Sequence, residues 1–169
     1  YLIVVERGTD ISKRTDLHQI DMTTLEKKPL SLPFGSASDI ALTKKEGQIV
    51  ASVAAVGPGG GKLHLFEGAA AATELLMPTG SRSSNAFYVA MDPDGKHMFL
   101  GSFGTAGFDA YEVTDLAGGS GVKKIVSART ATGRPLMGAF QVAPDGEFIV
   151  FHSGTVLKVS DLKTATPGA

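Results

Sequence analysis

Four histidines, His18, His64, His97 and His152, are the residues of this sequence best suited to moving protons or holding a metal ion. No two of them stand at H-x-x-H or H-x-x-x-H spacing, and all four fall in strand-like runs. A metal site would need them to converge from distant segments, so packed or surface histidines are expected and no metal site is assigned. Asp92, Asp94 and Asp145 could suggest a calcium loop, but EF-hand spacing is missing. Their context, Asp92-Pro93-Asp94-Gly95 and Ala143-Pro144-Asp145-Gly146, is turn chemistry, with proline presetting one backbone angle and glycine taking the left-handed position. Gly57-Pro58-Gly59-Gly60-Gly61-Lys62 fails as a phosphate loop, because Val56 stands where a glycine is needed and Leu63 where a serine or threonine is needed. Gly101, Gly104 and Gly107 do not make the dinucleotide fingerprint, and Ser102 and Ser153 lack the G-x-S-x-G elbow. No catalytic residue and no cofactor is therefore expected.

Composition narrows the classes further. Sixteen Lys and Arg oppose seventeen Asp and Glu, so the sequence carries no basic footprint for a nucleic-acid backbone. No apolar run approaches the roughly 20 residues that span a bilayer, and no nucleic acid or membrane span is expected. The absence of cysteine excludes disulfides and thiolate ligands. The sequence opens on Tyr1-Leu2-Ile3-Val4-Val5, strand-like and without a start methionine, which leads to the expectation that an upstream segment has been removed or left out.

The elements that would position any site form a repeat. Asp39 to Ser52, Phe87 to Ser102 and Phe140 to Ser153 each read as strand, polar turn, strand, with turn glycines Gly47, Gly95 and Gly146 spaced 48 and 51 residues apart. A third strand follows each hairpin, at Lys62 to Phe66, Phe108 to Val113 and Thr155 to Ser160; a fourth is expected around Thr73 to Met77 and Lys123 to Ala128. Apart from Ala69 to Ala72, nothing shows helical periodicity. The expectation is an all-β chain of four-stranded antiparallel blades: a β-propeller segment divided as a partial blade over 1–36, blades over 37–80 and 81–133, and a second partial blade over 134–169. A blade is stable only when packed between neighbours, so a segment this short belongs to a larger ring of about six to eight blades. A protein partner, a second copy, or the missing part of the same propeller is expected to cover the open blade faces.

At Met91-Asp92-Pro93-Asp94-Gly95-Lys96 and Val142-Ala143-Pro144-Asp145-Gly146-Glu147 the sequence resembles the YVTN and lactonase-like propeller repeats, over most of Ser38 to Leu162. Lys44-Lys45-Glu46-Gly47 departs from that pattern. Such repeats occur in lactonases, quinoprotein amine dehydrogenase heavy chains, haem d1 domains and noncatalytic surface proteins, so the resemblance implies a fold and leaves the activity open. It also implies that binding lies on the face formed by the second-to-third-strand and blade-to-blade connections. There Arg14, Arg82, Asn85 and Arg134, with His152 just below the rim, form the candidate ligand-binding set, suited to an anionic ligand or acidic partner surface. The expected function is a noncatalytic binding or assembly module. The alternatives are part of a propeller enzyme, lactonase-like or amine-dehydrogenase-heavy-chain-like, with its catalytic groups elsewhere, and a surface-layer or adhesion repeat. By resemblance, the expected location is periplasmic or extracellular.

Overall fold

Short apolar, β-forming runs broken by glycine, proline and aspartate turns build antiparallel sheets through the described residues. The computed structural model describes residues 2–6, 16–30, 36–54, 62–67, 72–78, 86–102, 107–116, 121–128, 130–131, 134–136 and 138–163. Strands β1 (Leu2–Glu6), β2 (Asp16–Ile20) and β3 (Lys27–Leu30) form a three-stranded sheet in that order. The second sheet is β4 (Ser36–Leu42), β5 (Gln48–Ala54), β6 (Lys62–Glu67) and β7 (Thr73–Glu74), again in chain order. The third follows the same plan with β8 (Ala86–Met91), β9 (His97–Ser102), β10 (Phe108–Asp115) and β11 (Gly121–Ala128). After a short hairpin, β12 (Thr130–Ala131) with β13 (Arg134–Pro135), the last sheet is β14 (Phe140–Val142), β15 (Phe148–Phe151) and β16 (Val156–Lys158). The fold is all-β, with antiparallel sheets of up to four strands.

Each strand sends alternate side chains to opposite faces, so the middle sheets bury both sides. Ile49, Ala51 and Phe66 pack on Leu30 of the first sheet, while Val50, Leu63 and Leu65 meet Val89, Met98, Leu100 and Tyr111 of the third. The third sheet turns Phe99 and Phe108 toward Phe140, Ile149 and Phe151 of the last. Phe108 meets Phe140 and Phe151 edge-on, at ring-centroid distances of 5.5 and 5.3 Å, a favoured aromatic geometry. The sheets thus stack face to face like blades, and the inner strands β4, β8 and β14 lie side by side.

Hydrogen bonds across the hairpin necks set the register of the repeat. Thr43 N donates to Gln48 O, Asp92 N to His97 O, and Ala143 N to Phe148 O. Thr43, Asp92 and Ala143 are therefore equivalent, and aligning the three glycines puts the first repeat one residue out of step. The cause is the turn type. Gly95 N and Gly146 N close their turns onto Asp92 O and Ala143 O, whereas in the first hairpin Gln48 N closes onto Lys45 O, placing Gly47 one position later. Two other segments add to the repeat. Between the third and last sheets lies the β12–β13 hairpin, and the third strand expected over Thr155 to Ser160 stops at Lys158, giving way to a 3-10 helix over Val159–Lys163 that buries Leu162.

Candidate functional site

The inner strands line an open cleft of about 740 Å³, bounded by β4, β8, β14 and the turns that follow them. Each of these strands pairs with a neighbour on one side only, so the edge facing the cleft presents backbone donors and acceptors. Asp39 satisfies one of them: its Oδ2 accepts the Val89 amide at 3.0 Å, tying β4 of one blade to the inner strand of the next. A one-residue bulge in β4, between Ala37 and Asp39, precedes this carboxylate. Thr43, Lys44, Tyr88 and Gln141 add polar side chains to the lining. Such a surface can exchange hydrogen bonds with an elongated polar ligand.

One mouth of the cleft is formed by the three turns, and these stack on one another. A Cβ built on Gly95 would lie 2.8 Å from the Cβ of Lys44, and one on Gly146 would lie 3.2 Å from Cδ of Pro93. Both glycines have positive φ, +68° and +73°, so glycine serves the turn and the blade-to-blade approach together. Within the third sheet's turn, Asp92 Oδ1 accepts the amides of Lys96 and His97, and Oδ2 lies 2.6 Å from His97 Nδ1. A carboxylate–imidazole pair of this kind can orient a general base, but the repeat assigns it another role. The equivalent Thr43 Oγ1 donates to Gln48 Oε1 at 2.9 Å, so this pair of positions closes the hairpin neck in both blades.

A second polar position recurs on the third strand. His64, Asp109 and Thr155 stand at equivalent register positions and are 5%, 0% and 3% exposed. Asp109 is held by Tyr111 Oη at 2.8 Å, Ser127 Oγ at 2.6 Å and Lys124 Nζ at 3.1 Å, which satisfies a carboxylate that burial would otherwise penalise. His64 differs in that its Nδ1 is buried without a hydrogen-bond partner. Burial holds its pKa below the ordinary value of 6.5, Glu74 opposing the shift and Lys62 adding to it. Of these positions only His64 stands out in the sequence, as a histidine; Asp109 and Thr155 do not, because three unlike residue types occupy one structural place.

Of the candidate ligand-binding residues, Arg14, Arg82 and Asn85 lie outside the described residues. Arg134 opens β13, its backbone paired with Ala131. His152 is exposed just after β15, and its amide donates to the carbonyl of Ala139, a residue lining the cleft. Among the described residues, no group of three or more His, Asp or Glu could hold a metal ion, and no helix is long and apolar enough to cross a membrane.

No known family profile matches this chain, and no curated protein matches it. Solved structures do. Hydrazine synthase of Kuenenia stuttgartiensis matches with a TM-score of 0.57 at 17% identity, over 94% of this chain and 55% of that one. A protein of Lactobacillus plantarum matches at 0.54 and 13% identity, over 92% and 50%. A candidate 6-phosphogluconolactonase of Bacteroides fragilis matches at 0.53 and 12% identity, over 87% and 43%. The chain spans about half the length of the solved chains it matches. At these identities the likeness is one of fold: the chain is a β-propeller segment, similar to lactonase-like and hydrazine synthase propellers over most of its length.

Proposed function

We propose that this chain is a noncatalytic propeller module whose work is binding and assembly, and that further β-structure covers the outer face of its last sheet. One comparison within the chain carries this reading. In the third sheet Phe99 and Ala110 are fully buried against the last sheet. Their register equivalents one blade later, Val150 and Val156, are 46% and 55% exposed, and Phe148 beside them is 37% exposed. The residue types suit a buried blade face, and burying each such side chain contributes about 1.5–3 kcal/mol. The inner-strand cleft supplies the binding side of the reading, with main-chain edges and Asp39, Thr43, Lys44 and Gln141 as its polar groups.

The test is light scattering with native mass spectrometry on the 17.5 kDa chain, wild type against Val150→Asp. The expected result is association of the wild type with itself or with co-purifying β-structure, abolished by the aspartate while the far-UV spectrum is retained. A stably folded wild-type monomer that matches V150D at every concentration overturns the proposal.

A further inference from the structure

Neighbouring inner strands meet at two junctions, β4 with β8 and β8 with β14, and the repeat fills them differently. Hydrogen bonding between antiparallel strands uses alternate residues. Asp92 N donates to His97 O, so Ala90 and Tyr88 are the next bonded positions of β8, and Val89 turns its amide away from β9. Asp39 takes that amide, with Oδ2 at 3.0 Å. The last sheet alternates in the same way. Ala143 N donates to Phe148 O and His152 N to Ala139 O, so Phe140 turns its amide away from β15 as Val89 does from β9. By register Tyr88 stands where Asp39 stands one blade earlier, opposite Gly101 as Asp39 is opposite Ser52, and each follows a one-residue bulge. A tyrosine has no carboxylate to offer, and among the described residues no acceptor meets the Phe140 amide. Tyr88 and Phe140 both line the cleft. Both strands of this junction and the sheets behind them belong to the described chain.

We infer that the junction of β8 and β14 is a subsite for the carboxylate of a small organic acid, which accepts the Phe140 amide as Asp39 accepts that of Val89. The chain thus carries its own pattern of the bound group. A carboxylate suits the place better than a neutral acceptor, because a hydrogen bond to an ionised oxygen is the stronger one. The Tyr88 phenol makes no hydrogen bond among the described residues and is a second donor on the same lining. Lys44 adds a cation to that lining, opposing the charge of Asp39. The subsite rests on the reading of the cleft as the binding side of the module, and not on the face over Val150 and Val156.

The test is amide NMR of the chain during titration with sodium acetate, the carboxylate alone, against sodium chloride at the same ionic strength. The Phe140 amide should shift saturably with acetate and not with chloride, while Val89, already held by Asp39, keeps its position. Two variants exchange these roles. Asp39→Ala should bring the Val89 amide into the acetate response. Tyr88→Asp puts a carboxylate of the chain at the second junction; it should abolish the response of Phe140 and slow its hydrogen exchange about tenfold, as a hydrogen bond to a charged group implies. A Phe140 amide that ignores acetate, follows chloride equally, or already exchanges as slowly as that of Val89 overturns the assignment. Light scattering on the same samples keeps the two readings apart. An unresponsive Phe140 in a wild type that associates overturns the subsite alone, and a responsive Phe140 in a monomeric wild type overturns assembly alone.

Discussion

Replacing the turn glycines by alanine separates two roles that one residue plays. At Gly47, with φ +72° and open space around the missing Cβ, alanine meets only the cost of the left-handed backbone, about 1–2 kcal/mol. Gly95, with φ +68°, adds a methyl 2.8 Å from the Cβ of Lys44, a contact with a backbone-anchored atom that yields only if two blades move apart. Overpacking of that kind costs about 1–3 kcal/mol more. Gly146 falls between, since its methyl would lie 3.2 Å from the Pro93 ring. For a chain of this size each kcal/mol moves Tm by about 2–4 °C, so Gly95→Ala should melt about 2–12 °C below Gly47→Ala, with Gly146→Ala intermediate. Thermal unfolding followed by circular dichroism measures this. Adding Lys44→Gly to Gly95→Ala should restore the part due to the clash and leave the backbone part. If all three alanine variants lose the same stability, or if Lys44→Gly rescues nothing, the turns do not pack on one another as described.

Asp39→Ala removes the acceptor of the Val89 amide and should cost about 1–3 kcal/mol, with faster hydrogen exchange at that amide while amides of the last sheet keep their rates. Asp109→Ala breaks the ion pair with Lys124 and the hydrogen bonds from Tyr111 and Ser127 and should cost about 3–5 kcal/mol in urea unfolding, with Asp109→Asn, which keeps an acceptor, costing less. His64 makes stability depend on pH. Its folded pKa is lowered by burial, so the unfolded chain binds more protons between the two pKa values. Its contribution is full above about pH 6.5 and is lost as pH falls through the folded value; His64→Leu should flatten the loss of urea midpoint between pH 7.5 and 5.5.

The hairpins were legible because turn chemistry is local. Pro93-Asp94-Gly95 and Pro144-Asp145-Gly146 state their backbone angles in the sequence, and short apolar, β-forming runs flank them on either side. What escaped depends on a neighbour in space. The first repeat's register came out one residue wrong because a glycine at the left-handed position looks the same in two turn types, and only the neck bonds of Thr43 and Asp92 separate them. Asp39 reads as an ordinary polar strand residue until the next blade brings the Val89 amide to it. The β12–β13 hairpin has two-residue strands, too short for any period to show.

Among the described residues, apolar side chains are left uncovered in two places that differ in kind. The last sheet has its inner strand, so its register and its turn are complete, and what it lacks is a covering face over Val150 and Val156. Among the described residues, the first sheet covers its neighbour through Leu30 on Ile49 and Phe66, while Leu42 and Gly47 stand exposed beside that contact. A whole apolar face calls for another sheet, because scattered valines bind nothing shaped less broadly than themselves.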